Sequence, residues 1–584
     1  GPSGTARGTM AAGTTFSGAR RRLADPALWL LAAGFLAGLA HLFVTPPFEG
    51  FDETAHYASV QLVADQRRIP VYGKDRFAKD VLDYERDAPK AYAPVPPFEK
   101  NGGLTYADVF STPERAATAR AMIGEEPARA RAYWPAGPLN WQAQHPPLAY
   151  VLLAPVYHAT KSQDWKSHLF FLRLACFSVA MLGLAIGVLA TRERLCADRS
   201  PLATMAPAIM AAWPFYAPMF FPEMARLGND GFCLLFASLA WAAFLRFERT
   251  ARGRPERLQW AVLLGLSLGM GALTKAFFLP VAAGFAALLA LREAIALKAE
   301  ARRGARRLLS AFLPVAAMAS VFLAVAFWWY AGKYAATGSF TGANDLILAR
   351  DVAASSASHS EAFSLALFGK RLLSVYLSFL WAGTWSLAKM PYAAVAILGF
   401  FFALVSIPYY RALFKGRRFD ALVWAPVFMV MPVVIGLGYH IATQMALGEA
   451  RSGTPGWYLH IFAAPLGFAY AIGVAGLWRA AWGRLALGAG FLYTLLFAVV
   501  AAYYQLALFT GCAVKLGDNR YYQPAACFGD VAEIWRRLEI IANPALGIAA
   551  IILAAGAAIG AVFLIIDRRA LISAPRAAAR SPAP

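Results

Sequence analysis

Long apolar runs, recurring along the whole chain and separated by short arginine-rich connections, constrain this sequence more than any motif does. About twenty residues nearly free of charge cross the hydrocarbon core of a bilayer as a helix. Twelve such stretches can be marked, at about 26–44, 168–190, 202–221, 231–247, two in a hairpin across 260–297, one ending near 334, then 391–413, 421–444, 457–478, 485–505 and 544–566. Only 15% of the 584 residues are charged and 59% are apolar, whereas a soluble protein carries about a quarter charged residues. The expected fold class is an all-α polytopic membrane protein with about 12 transmembrane helices.

The net charge of +21 is gathered between spans: Arg192, Arg194 and Arg199; Arg249, Arg252, Arg254 and Arg257; Arg302, Arg303, Arg306 and Arg307; Lys415, Arg417 and Arg418; Arg568 and Arg569. That distribution marks cytoplasmic loops, not a nucleic-acid surface. With Arg20, Arg21 and Arg22 before the first span, it predicts a multi-pass membrane protein with both termini cytoplasmic; the alanine- and arginine-rich composition fits a bacterial source, which would make the membrane the inner one. Residues 1–9 read as a cloning remnant ahead of Met10, so 1–25 is an N-terminal segment, 26–566 the membrane domain and 567–584 a cytoplasmic tail. Three segments fall outside: 46–167, 337–390 and 507–543. The first contains an apolar run, Leu148 to Tyr157, too short to span, which predicts an interfacial helix. Cys512 and Cys527 share the last outer segment and are expected to form a disulfide worth about 3 kcal/mol. The five cysteines show no metal-ligand spacing. No internal repeat of the transporter kind is visible. Trp213, Trp328, Trp329, Trp381, Trp385 and Trp457 read mostly as an interfacial belt.

The chemistry-bearing residues lie at the outer ends of the spans. Pro46-Pro47-Phe48-Glu49-Gly50-Phe51-Asp52-Glu53-Thr54-Ala55-His56-Tyr57 directly follows the first span. Asp52 and His56 are one helical turn apart, with Glu53 beside them. Two readings fit: proton abstraction or metal binding at the membrane surface, and a plain helix cap with a first-turn acid. Asp230, at the head of the fourth span, is either a second site acid or a cap. Lys275, inside the apolar hairpin, needs a partner or a route to water; it is either a binding residue or a snorkelling lysine. His145, Arg226, Lys389 and Arg451 complete the set of outer-side cations and histidines.

These residues carry a resemblance. A first span ending at an acidic pair, a long outer loop with His145-Pro146-Pro147-Leu148 and a short interfacial helix resemble the GT-C superfamily of membrane glycosyltransferases, whose donors are polyprenyl-phosphate sugars. More closely, Phe51-Asp52-Glu53-Thr54-Ala55-His56, Gly228-Asn229-Asp230, Leu273-Thr274-Lys275, Ser378-Phe379-Leu380-Trp381-Ala382-Gly383 and Pro455-Gly456-Trp457-Tyr458-Leu459 resemble a bacterial family of GT-C-like membrane proteins with an Asp-Glu-x-x-His motif after the first span. The chain departs from the family at Gly456-Trp457-Tyr458-Leu459-His460, where Gly-Arg-Tyr-Leu-Leu-Pro is expected.

The resemblance implies a GT-C-like fold and a transferase that takes a sugar from a polyprenyl-phosphate donor to a glycan, lipid or protein acceptor on the periplasmic side. It implies Asp52 as general base, with Glu53 and Asp230 as further acids. His56, His145, Arg226, Lys275, Lys389 and Arg451 would bind substrate. A divalent cation held by Asp52, Glu53, His56 and Asp230 stays open, as do two alternatives: a ligase transferring a whole lipid-linked glycan, and a transporter or flippase. Membrane lipids are expected partners; nucleic acid is not.

Overall fold

The computed structural model of the protein describes residues 25–89, 104–299, 305–340, 364–383, 386–415, 419–446, 455–515 and 522–573. The first helix, Pro26–Val44 (α1), starts with Pro26 at a position where its missing N–H is not needed. It is capped by the Asp25 carboxylate, which accepts from the Ala27 amide at 3.2 Å. After α1 the chain turns twice through left-handed conformations, at Phe48 (φ 61°) and Asp52 (φ 56°), and enters Glu53–Gln66 (α2).

The first outer segment then folds over the bundle end. It holds the strand Arg76–Ala78 (β1), the helices Lys79–Asp87 (α3), Tyr106–Val109 (α4) and Pro113–Gly124 (α5), the strand Pro135–Leu139 (β2) and the helix Leu148–Thr160 (α6). β1 and β2 pair antiparallel, with Phe77 opposite Ala136 and Ala78 opposite Pro135. The predicted short helix is thus present as α6, which packs on α2 and leaves Val151 and Leu152 exposed.

The bundle follows with Trp165–Ala197 (α7), Met205–Ala211 (α8), Trp213–Tyr216 (α9), Phe220–Met224 (α10), Asp230–Arg249 (α11), Pro255–Ala272 (α12), Phe278–Ala299 (α13) and Ala305–Thr337 (α14). Next come Leu365–Leu380 (α15), Tyr392–Lys415 (α16), Ala421–Ala446 (α17), Ala463–Trp478 (α18), Ala481–Phe509 (α19), Val531–Ile541 (α20) and Pro544–Ser573 (α21). α18 is preceded by the 3-10 turn Trp457–Phe462. A two-stranded hairpin, Ala513–Lys515 (β3) with Tyr522–Pro524 (β4), lies before α20 and is stapled by the expected Cys512–Cys527 disulfide.

Among the described residues ten helices are long and apolar enough to cross a membrane: α1, α7, α11, α13, α14, α16, α17, α18 with its leading turn, α19 and α21. The architecture is all-α and multi-pass. Two of the twelve stretches marked in the sequence differ. The third, 202–221, is the three short helices α8, α9 and α10, because Pro207, Pro214 and Pro218 each remove a backbone donor and interrupt a helix wherever they fall inside it. The fifth is α12, whose polar opening, Pro255-Glu256-Arg257, dilutes its apolar content. It packs between α11 and α14.

α1 lies along α21, joining the first and last spans, α7 lies along α11, and α16 packs beside α18. The α7–α11 contact is close enough that a Cβ on Gly231 would stand 2.4 Å from the Cys176 carbonyl oxygen. A small residue there lets the two backbones meet beside Asp230, the residue before it. The tryptophan belt is only partly realised: Trp213, Trp329 and Trp381 are buried packing residues, while Trp328 is exposed.

Candidate active site

The turn after α1 is held by one buried ion pair. Arg173, two turns into α7, sends Nε and Nη2 to the two Glu53 oxygens at 2.7 and 2.6 Å, Nη1 to the Thr45 carbonyl and Nη2 to the Pro46 carbonyl, both at 2.7 Å. The Gly50 and Leu227 amides donate to the same carboxylate at 2.9 and 2.8 Å. Burial alone would raise the Glu53 pKa, but the Arg173 charge and hydrogen bonds with the two amides hold it below the usual range. Glu53 therefore acts as a fastener, with its oxygens occupied. Gly50 is required here, since a Cβ would fall 2.5 Å from Glu53 Cδ.

Fastening Glu53 aims Asp52 elsewhere. Asp52 precedes α2 in the left-handed region, with no side-chain cap bond to the helix. Its carbonyl accepts from the His56 amide at 3.0 Å, and its Oδ1 accepts from Trp141 Nε1 at 3.2 Å. A non-glycine residue in this conformation stores strain, which collects where function requires a fixed geometry. Burial raises its carboxyl pKa above the ordinary value; Arg226, the Trp141 bond and Lys275 pull it back in part.

Beside Asp52 lies a second buried network. Asp230 Oδ1 accepts from Lys275 Nζ at 2.6 Å and Oδ2 from Arg226 Nη2 at 2.7 Å. Arg226 also grips Glu223, with Nε at 3.1 Å and Nη2 at 2.8 Å, and donates Nη1 to the Phe51 carbonyl at 2.8 Å. Burial pushes the Glu223 carboxyl up to about 8 against the pull of Arg226. Lys275 is buried, lies over the Tyr458 ring at 4.1 Å and is paired to Asp230. It does not snorkel. Asn229 Nδ2 donates to the Thr274 carbonyl at 3.2 Å and the Leu148 amide to the Leu273 carbonyl at 3.0 Å, so the Asp230, Lys275 and His145 segments are tied together.

His56 Nδ1 is 3.0 Å from the Tyr150 hydroxyl, and its ring lies parallel to His145 with centroids 6.1 Å apart. Burial, then the Arg226 and His145 charges, lowers His56 well below its ordinary value. Burial and Lys275 lower His145 to about 3. Both rings are neutral near pH 7.

The structure thus brings Asp52, Glu53, His56, His145, Arg226, Asp230 and Lys275 to one end of the bundle. Lys389 is half-buried in the stretch after α15 whose Ala382 and Leu387 pack on Phe51. Arg451 and Trp385 lie outside the described residues. His460 is buried and bonds the Phe379 carbonyl through Nε2 at 2.9 Å, while Trp457 stacks on Phe51 at 4.5 Å. Arg173, Trp141, Tyr150 and Glu223 have no role assigned from sequence, and Tyr458 stands there only as part of the Pro455-Gly456-Trp457-Tyr458-Leu459 stretch. Arg173 left a readable trace, an arginine inside an otherwise apolar span.

Two of the four residues weighed for a divalent cation have other partners. Glu53 is committed to Arg173, and both Asp230 oxygens are taken by Lys275 and Arg226. No three His, Cys, Asp or Glu side chains converge as a ligand group among the described residues. These residues do not fit a bound divalent ion.

No protein-family model matches the chain, and no curated protein matches it in sequence. Among solved structures it is similar to ArnT from Cupriavidus metallidurans in the apo state, at 14% identity and TM-score 0.40, over 87% of this chain and 72% of that one. ArnT bound to undecaprenyl phosphate gives 13% identity and TM-score 0.40, over 87% and 73%. The Archaeoglobus fulgidus oligosaccharyltransferase AglB, in complex with an inhibitory peptide and a dolichol-phosphate, gives 13% identity and TM-score 0.33, over 85% and 56%.

Proposed function

We propose that this protein is a membrane glycosyltransferase that moves one sugar from a polyprenyl-phosphate donor to a hydroxyl acceptor on the periplasmic side, with Asp52 as general base. The observation that carries the proposal is the state of Asp52. It is a carboxylate in a strained left-handed turn, free of any ion pair among the described residues, beside neighbours whose own charges are paired. Its raised pKa makes it a stronger base than an ordinary aspartate.

In the reaction the acceptor oxygen bonds to the anomeric carbon while its proton passes to Asp52. The bond from that carbon to the phosphate oxygen breaks, and its electron pair leaves with the lipid phosphate. A phosphate leaving group needs cationic and hydrogen-bonding neighbours, not a general acid. Neutral His145 and His56–Tyr150 supply donors, and the Asp230–Lys275–Arg226 network supplies a fixed polar floor. Glu53 keeps the turn in register through Arg173. The titratable groups lie at one end of the bundle, not at mid-depth where transporters place their sites.

The test is turnover of a polyprenyl-phosphate sugar by purified Asp52→Asn. Asn tolerates the left-handed turn and still accepts from Trp141, so folding and donor binding stay near wild type. Turnover should fall by about two to four orders of magnitude. Near-normal turnover would overturn the assignment.

A further inference from the structure

Three cations of the site have carboxylate partners. Arg173 is paired with Glu53, Arg226 with Glu223 and Asp230, and Lys275 with Asp230. Lys333, one turn before the end of α14, is on the buried face of that helix with Ala326, Trp329 and Tyr330. Its side chain is nine-tenths buried, with 9% relative exposure, and no carboxylate reaches it among the described residues. Its ammonium lies over the Trp329 ring at 4.8 Å and touches the Ala143 carbonyl at 3.5 Å, which is a long contact for a charged donor. Ala143 is two residues before His145, and His145 feels the charges of both Lys275 and Lys333. The base of Lys333 is anchored to the site as well, because Tyr330 donates its hydroxyl to the Ala272 carbonyl at 2.7 Å, three residues before Lys275.

A buried ammonium without an anion is costly, and its position against the His145 segment directs that charge toward the site. We infer that Lys333 is the binding cation for the phosphate of the lipid donor, with His145 beside it as a neutral hydrogen-bond partner, and that Lys275 instead organises Asp230. The inference rests on the transferase reading above and deepens it by assigning the anion subsite. It also gives the departing phosphate a counter-charge that no carboxylate among the described residues competes for.

The experiment compares binding of a prenyl phosphate and the prenyl alcohol of equal chain length to purified protein in detergent. Wild type should prefer the phosphate. Lys333→Met should lose that preference, a change of about 10- to 100-fold in the phosphate's affinity, with the alcohol unaffected. Lys333→Gln and Lys333→Arg guard against misfolding: Gln should lose the preference and Arg keep it, at matched elution profiles. A preference that survives in Lys333→Met and Lys333→Gln overturns the assignment of Lys333 and leaves the transferase reading standing. A wild-type protein that does not distinguish phosphate from alcohol overturns both.

Discussion

Removing Arg173 should unfasten the turn that carries Asp52, and the structure sets the size of the effect. Arg173→Met keeps most of the apolar stem but deletes four hydrogen bonds, two to Glu53 and one each to the Thr45 and Pro46 carbonyls. Glu53 would remain buried with only the Gly50 and Leu227 amides, and the Thr45 and Pro46 carbonyls would lose the guanidinium, Pro46 keeping the Glu49 amide at 3.3 Å. Breaking one side of a buried ion pair costs about 3–5 kcal/mol. Glu53→Gln removes the charge but keeps a carbonyl to accept from the amides, so it should cost less. The double variant should fall short of the sum, with a coupling of about 1–3 kcal/mol. The pH dependence has a definite sign. Glu53 is held below its unfolded value of about 4.3, so the clamp's contribution is fully present above that value. It is lost as pH falls through the lower folded value. The assay is reversible unfolding of purified protein in mixed micelles, run on the four members of the cycle. A cost under about 1 kcal/mol for Arg173→Met, or strictly additive single effects, would refute the clamp.

Turnover should rise with pH through the titration of Asp52, with its midpoint above the usual aspartate value of about 3.9; a midpoint below that value would show that burial does not govern this carboxyl. The same profile should lack a limb near pH 6.5, since His56 and His145 are held neutral, and this can be checked with the Asp52→Asn background as blank. Cys512→Ala with Cys527→Ala should lower stability by about 3 kcal/mol and loosen the β3–β4 hairpin, read by protease cleavage in 513–530; unchanged cleavage would mean that the packing of Ala513 and Ile534 suffices.

The site was legible where charge stood out against apolar sequence. Asp52, Glu53 and Asp230 were visible because each interrupts the edge of a long run, Lys275 because it stands inside an apolar hairpin, and the His145-Pro146-Pro147 element marked the start of α6. What sequence could not assign was who pairs with whom. Glu53 and Asp52 are adjacent and chemically alike, yet a left-handed turn sends one to Arg173 and the other to Trp141. That division depends on α7 and on a loop almost ninety residues away. Lys275 looked like the free cation because its partner Asp230 lies 45 positions earlier, while Lys333 was hidden near the end of α14. The third span was misread because hydropathy registers apolar content and is blind to backbone donors that proline removes.

That broken stretch bears on the order in which the molecule can be assembled. A backbone interrupted at α8, α9 and α10 exposes carbonyls that lipid cannot satisfy, so such a segment persists at membrane depth only when wrapped by protein. Its wrapping comes partly from α1 and α7, made earlier, but also from α18, which packs on α8 and is synthesised some two hundred and fifty residues later. Until α18 arrives, the stretch leading to Glu223, Arg226 and Asp230 has no complete enclosure. The partners of the charge network, Phe51 to Lys275, are all made by then, so a nascent chain stalled before residue 463 would hold the network's members while the broken stretch leading to them still lacked its α18 neighbour.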